Sequence, residues 1–130
     1  MRKTGLLFGV MVFAVLVFTF SASGQDIPIG FFAPITGPAA ADGASAKHSV
    51  ELGLKEVNDA GGIKGKKVNL IIYDDRLNPQ EAVAIANKLI EKDKVIGVVS
   101  GSYSGPTSVT APFFKRPESR WWLVMPCTRT

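Results

Sequence analysis

One cysteine and one histidine are all that this chain of 130 residues carries, and these two scarcities exclude a good deal. A single thiol, Cys127, cannot close an internal disulfide. A single imidazole, His48, rules out histidine metal clusters and leaves no partner for a serine nucleophile. On a polar helix face His48 reads as a solvated residue. Long apolar runs are equally scarce. The one present spans fifteen residues, 6–20, short of the roughly 20 needed to cross a bilayer. Arg2 and Lys3 precede it, and Ser21, Ala22, Ser23 and Gly24 follow it. That is the make-up of an export signal over residues 1–24, cleaved after Ser23 or Gly24, with an uncleaved anchor as the alternative. No cysteine follows the run, so lipid anchoring at an N-terminal cysteine is excluded. Residues 25–130 then have room for one small α/β lobe and not for two.

The formal charge is +4, but its location removes its meaning. Arg2 and Lys3 leave with the signal, and Arg116, Arg120 and Arg129 outweigh Glu118 near the end. Between residues 25 and 115 ten basic residues balance ten acidic ones. A lobe without a basic face gives no argument for a nucleic-acid partner.

The periodicity alternates. Residues 26–33 (DIPIGFFA) read as a short strand with its proline near the start, where a missing donor is tolerated. Residues 34–43 (PITGPAAADG) form a loop of proline, glycine and small residues. From 44 to 58, Ala46, Val50, Gly53, Leu54 and Val57 recur at helical spacing, and glycines at 61 and 62 suit the left-handed turn that ends such a helix. Residues 67–74 (KVNLIIYD) have a nearly continuous apolar centre, as in a strand covered on both faces. Asn78, Pro79 and Glu81 announce a second helix, to about Lys92, with a capping residue, a proline at the first position and a capping-box glutamate. Its buried face is predicted to carry Ala82, Val83, Ala86, Leu89 and Ile90. Residues 95–100 form a third strand, and 107–114 a short helical stretch. Strand, helix, strand, helix, strand at this spacing predicts an α/β fold with a parallel sheet in a three-layer lobe.

Ligands of an open parallel sheet bind beyond the carboxyl ends of its strands. Residues 34–43, 74–78 and 100–107 occupy those ends. The third stretch, SGSYSGPT, combines glycines that let backbone donors approach a ligand, serine hydroxyls, and a helix N-terminus suited to a carboxylate. Tyr103 adds an aromatic surface with a polar tip. An ordinary capping turn is the competing reading. Asp74 and Asp75 point to opposite sides of a strand and so do not form a catalytic carboxylate pair; strand-end solvation and turn formation account for both. Asp42 is a helix cap by default and a ligand contact by position. The turn after the first strand lacks the G-x-G-x-x-G of a dinucleotide site, and neither a P-loop nor a G-x-S-x-G elbow is present. No enzyme chemistry and no cofactor are implied.

Three stretches, DIPIGFFAPITGPAAADG, VNDAGGIKGKKVNLIIYDD and NPQEAVAIANKLIEKDKVIGVVSGSYSGPT, resemble one known family over residues 26–114. It is the N-terminal lobe of periplasmic substrate-binding proteins of ABC importers for branched-chain and other hydrophobic amino acids, the leucine/isoleucine/valine-binding type. The combination of N-x-A-G-G-I-x-G, Y-D-D and N-P-x-x-A-V carries the resemblance. It implies an incomplete type I periplasmic binding protein, one lobe of a two-lobed clamshell that closes on an amino acid. It further implies periplasmic location, ABC permease subunits as partners, and no cofactor. By position the ligand-binding candidates are Ser102, Tyr103, Ser104 and Asp42; relatives often have an aromatic where Asp42 stands. Some relatives carry a disulfide between the regions where Leu77 and Ser100 stand here.

The ending, FFKRPESRWWLVMPCTRT, fits neither the alternation nor the family. Relatives continue with a phrase such as AGIPMVVSYAVHPDI, a fourth strand and another binding loop. Read from the third base of the Arg116 codon, Trp121 and Trp122 force a valine, Met125 and Pro126 force an alanine, and codon choice permits the rest. The expected organisation is therefore a signal over 1–24, a partial lobe over 25–115 and a frame-shifted tail over 116–130, in which residues 121–125 are strand-prone. Such a fragment is expected to bind amino acid poorly. A sensory ligand-binding domain of the same fold and a small α/β domain with a structural role are the alternatives.

Overall fold

A computed structural model describes residues 25–101 and 103–114 and the backbone of residues 123 and 124. The expected signal over 1–24, the candidate Ser102 and most of the 116–130 tail lie outside the described residues.

The elements in chain order are β1 (Ile27–Ala33), α1 (Ala40–Asp59), β2 (Val68–Asp74), α2 (Pro79–Glu91), β3 (Gly97–Ser100), α3 (Ser104–Phe114) and β4 (Leu123–Val124). All strand pairings are parallel, in the order β2-β1-β3-β4. β1 matches β2 from Ile27 opposite Val68 to Ala33 opposite Asp74. On its other edge β1 pairs with β3, Phe32 opposite Ser100. β4 falls within the strand-prone run and extends the sheet beside β3.

Side chains alternate across β1. Gly30 and Phe32 face α2 and α3, where Phe32, Ala82, Ile85, Ala86, Leu89, Val95, Val98 and Phe114 form the core. The two helices cover this side well because α2 turns a stripe of small and branched residues inward. Its cap is the one expected, Asn78 accepting from the amides of Gln80 and Glu81 at 2.8 and 3.3 Å. The amide of Asn78, which a capping-box glutamate would take, donates instead to the Asp75 carbonyl at 2.7 Å. Ile85 joins the buried face, while Val83 and Ile90 are only half-buried.

The opposite face is covered more loosely. Val50, Leu54 and Val57 of α1 stand over Ile29, Leu70 and Val99, leaving a groove of about 180 Å³. β2 lies at the sheet edge. Its apolar centre is half-buried, not enclosed on both faces as the unbroken apolar run predicts.

Three element boundaries move from their expected places, and the two helix starts bear on the carboxyl end. α1 begins at Ala40 rather than 44, because three consecutive alanines extend the helix backward and Gly43 can tolerate the contact. A Cβ at Gly43 would sit 2.1 Å from the Pro34 carbonyl oxygen. α3 begins at Ser104 rather than 107. β3 is confined to 97–100, with Val95 buried and Ile96 exposed.

The glycine-rich turn after α1 has a structural account. Gly61, Gly62 and Gly65 all take φ near +76 to +97°, which side chains rarely adopt. Asn58 then pins the end of α1 to the start of β2. It donates to the Val68 carbonyl at 2.9 Å and accepts from the Val68 amide at 2.8 Å.

Candidate ligand-binding site

The strand order places β2 on one side of β1 and β3 on the other, so the chain leaves β1 and β3 in diverging directions. The crevice between their carboxyl ends is a topological switch point, where open α/β sheets bind ligands. Two loops approach it, 34–39 after β1 and 101–103 after β3.

Small residues let these loops close together. Gly101 is buried, and a Cβ there would lie 2.8 Å from the Ala33 Cβ, 3.0 Å from the Phe31 ring and 3.2 Å from the Ala46 Cβ of α1. The β3 loop is thereby seated against the start of α1, and the result is a direct bond. Tyr103 donates its hydroxyl to Asp42 Oδ2 at 2.6 Å. Hydrogen bonding to that carboxylate, with lesser contributions from burial and the negative charge itself, holds the Tyr103 phenol above its ordinary pKa.

Asp42 is not a helix cap. The cap position of α1 is Ala39, without a side-chain bond, and Asp42 sits in the first turn, where its charge complements the helix N-terminus. It is exposed. Ser104, also exposed, is the first residue of α3, so its backbone belongs to the helix N-terminus. Among the candidates named from sequence, Tyr103 and Asp42 meet directly and Ser104 follows Tyr103 in the chain.

A short relay fixes that helix start. Thr107 Oγ1 donates to the Tyr103 carbonyl at 2.7 Å. Its single proton is thus committed, so the buried Ser100 hydroxyl is the donor in the Ser100–Thr107 bond. Ser100 is engaged with α3, and Leu77 sits in a left-handed turn on the far side of β1.

The sequence reading missed the residue that shapes the first loop. Asp74, at the end of β2, accepts from the amides of Ile35 at 2.9 Å and Thr36 at 3.3 Å, from the Thr36 hydroxyl, and from the Arg76 amide at 3.0 Å. Partial burial pulls its pKa upward. The bonds from Thr36, Arg76 and Ile35 together outweigh that and hold it below the ordinary value. Both aspartates form the expected turn, each accepting from the amide two residues on, but Asp75 is not solvated. Asp75 is 1% exposed and accepts from the Leu77 amide at 2.9 Å. Burial, reinforced by the Asp74 charge, raises its pKa despite that bond. Chain proximity to Tyr73 in a Y-D-D motif was the available signal, but nothing in the sequence distinguishes the clamp from the buried neighbour.

His48 is a surface residue, 84% exposed at its side chain, 3.7 Å from Glu51. Among the described residues no group of three or more acidic, histidine or cysteine side chains could hold a metal. None of the described helices is long and apolar enough to cross a membrane.

A phenol in the loop after β3, bonded to a carboxylate in the first turn of α1 and beside the N-terminus of α3, stands at the switch point of an open parallel α/β sheet. The chain belongs to the periplasmic binding protein family, whose sequence profile matches residues 26–118. It is 43% identical over 107 residues to Leu/Ile/Val-binding protein homolog 1 of Brucella abortus, covering 82% of this chain and 28% of that one. It is 33% identical over 109 residues to the leucine-, isoleucine-, valine-, threonine-, and alanine-binding protein of Pseudomonas aeruginosa, covering 82% and 29% respectively. In three dimensions it is similar to the branched-chain amino acid transporter substrate binding protein LivJ from Streptococcus pneumoniae, crystallised with isoleucine. There the TM-score is 0.66 at 31% identity, over 68% of this chain and 26% of that one. The chain therefore spans between a quarter and a third of the length of the relatives it matches.

Proposed function

We propose that residues 25–115 form one wall of an amino-acid receptor, the solute-binding component of an ABC importer in the periplasm. It delivers its ligand to membrane permease subunits and performs no chemistry on it. The observation that carries this reading is the approach of the β3 loop to the first turn of α1 at the switch point, fixed by the Tyr103–Asp42 bond beside the N-terminus of α3. Backbone donors at that N-terminus, with the hydroxyl of Ser104, suit a carboxylate. The names of the relatives, which bind leucine, isoleucine and valine, point to an amino acid as the bearer of that carboxylate. The segment 1–24 fits the export that such a role requires.

Clamshell receptors hold their ligand between two walls, so one wall by itself binds weakly. Nuclear magnetic resonance titration of the 130-residue chain with L-leucine tests the reading, because it detects millimolar binding. Amide shifts at residues 36–43 and 101–105, saturating in the millimolar range, are the expected result. Shifts elsewhere on the lobe, or none at any accessible concentration, would remove the proposal.

A further inference from the structure

Among the described residues the crevice wall exposes no large apolar side chain, which an aliphatic receptor needs. The large hydrophobic side chains exposed among the described residues are Leu52, Val57, Ile63, Ile96 and Val109, and none lies in the carboxyl-end loops. The exposed residues around the crevice are Thr36, Gly37, Pro38, Ala41, Asp42 and Ser104. One of these carries a full negative charge, and Tyr103 holds it in place.

Covering that carboxylate with a purely aliphatic side chain would strip its water and return nothing, which costs several kcal/mol for a desolvated ion. A ligand group that donates to it avoids the loss. The geometry also says which part of the ligand is concerned. The ring of tyrosine is rigid, so its hydroxyl stands at a fixed distance from its own backbone in every rotamer. Asp42 is therefore separated from the start of α3 by nearly the full length of that side chain. The ammonium and carboxylate of an α-amino acid are separated by a single carbon. A ligand whose carboxylate rests at the start of α3 thus meets Asp42 with its side chain.

We infer that Asp42, oriented by Tyr103, is a specificity-determining acceptor that selects amino acids whose side chain ends in an N–H or O–H donor over purely aliphatic ones. This rests on the amino-acid reading of the same site and narrows it.

The test titrates the 130-residue chain and its Asp42→Asn and Asp42→Ala variants with L-leucine, L-glutamine and L-lysine, following the amides of Gly101 and Tyr103 by nuclear magnetic resonance. In the unaltered chain glutamine and lysine are expected to bind roughly tenfold more tightly than leucine, the size of a hydrogen bond to a charged group. Asp42→Ala is expected to abolish that preference, bringing the three affinities within about twofold of one another. Asp42→Asn keeps an acceptor for Tyr103 and removes the charge, so it should lower lysine binding and spare glutamine, and it substitutes for the alanine variant should that one fail to fold. Equal affinities in the unaltered chain, or an equal loss for all three ligands in the variants, would overturn the inference and leave the amino-acid reading intact. An absence of crevice shifts with any of the three would overturn both.

Discussion

Tyr103 and Asp42 lie 61 residues apart in the chain and share a hydrogen bond of 2.6 Å. That bond ties the loop after β3 to the first turn of α1, and so fixes the mouth of the crevice.

Its signature is spectroscopic. Because Asp42 favours the protonated phenol, Tyr103 should ionise above the ordinary tyrosine value of 10.0. Asp42→Asn should bring it back down, and Tyr103→Phe should delete that titration. Absorbance titration of tyrosinate reads all three. The folded pKa is raised, so the contribution to stability is complete below the unfolded value and is lost as pH climbs through the folded one. A Tyr103 titration unchanged in Asp42→Asn would show that the pair does not persist in solution.

Asp74 and Asp75 are adjacent and should respond to pH in opposite senses. Asp74 is held below its ordinary value of 3.8. Its stabilisation is present above that value and fades as pH falls through the depressed pKa. Asp75 is raised, so its contribution is complete below 3.8 and declines as pH rises through the elevated pKa. Denaturant melts across acid and neutral pH should therefore find Asp74→Ala weaker at neutral pH by about 1–3 kcal/mol, as befits several lost bonds to a charged group. Its deficit should shrink in acid. Asp75→Asn keeps an acceptor for the Leu77 amide and removes a buried charge. It should gain stability relative to the unaltered chain as pH rises. Parallel pH profiles for the two variants would refute the assignment.

Two glycines of α1 predict opposite outcomes from the same substitution. Gly53→Ala meets nothing within 4 Å and should stabilise by about 0.5–1 kcal/mol, the ordinary gain in a helix interior. Gly43→Ala forces a Cβ to 2.1 Å from the Pro34 carbonyl oxygen and should destabilise by about 2 kcal/mol or more through overpacking and backbone displacement. Thermal melting distinguishes them, and a neutral Gly43→Ala would mean that α1 does not press on the first loop.

Much of this was legible in the residues themselves. Asn78 and Pro79 start α2 where the capping pattern puts them, and the glycines at 61 and 62 take the left-handed conformation at the end of α1. Such features are local, decided within a turn of chain. The alternation of elements likewise yields the parallel sheet, because each amphipathic helix must bury its stripe on the strands beside it. Tyr103, Ser104 and Asp42 could be nominated because strand ends are where such folds keep their sites.

What the chain order could not supply was distance between segments far apart in it. Whether Asp42 caps a helix turned on where α1 begins, and that was settled by the fit of Gly43 beneath Pro34 and of Gly101 beside Ala46. The roles of Asp74 and Asp75 were hidden for the same reason. Both are aspartates at a strand end, yet one side chain accepts four bonds and the other is buried and accepts from the Leu77 amide. Sequence by itself determined the elements, their order and which loops stand at the carboxyl end of the sheet, where open α/β folds keep their sites, because periodicity, capping and turn chemistry act over a few residues. Only the tertiary structure decided which carboxylate guards the crevice, which shapes its loop and which lies in the interior, because burial and hydrogen bonding depend on neighbours that packing, and not chain order, brings within reach.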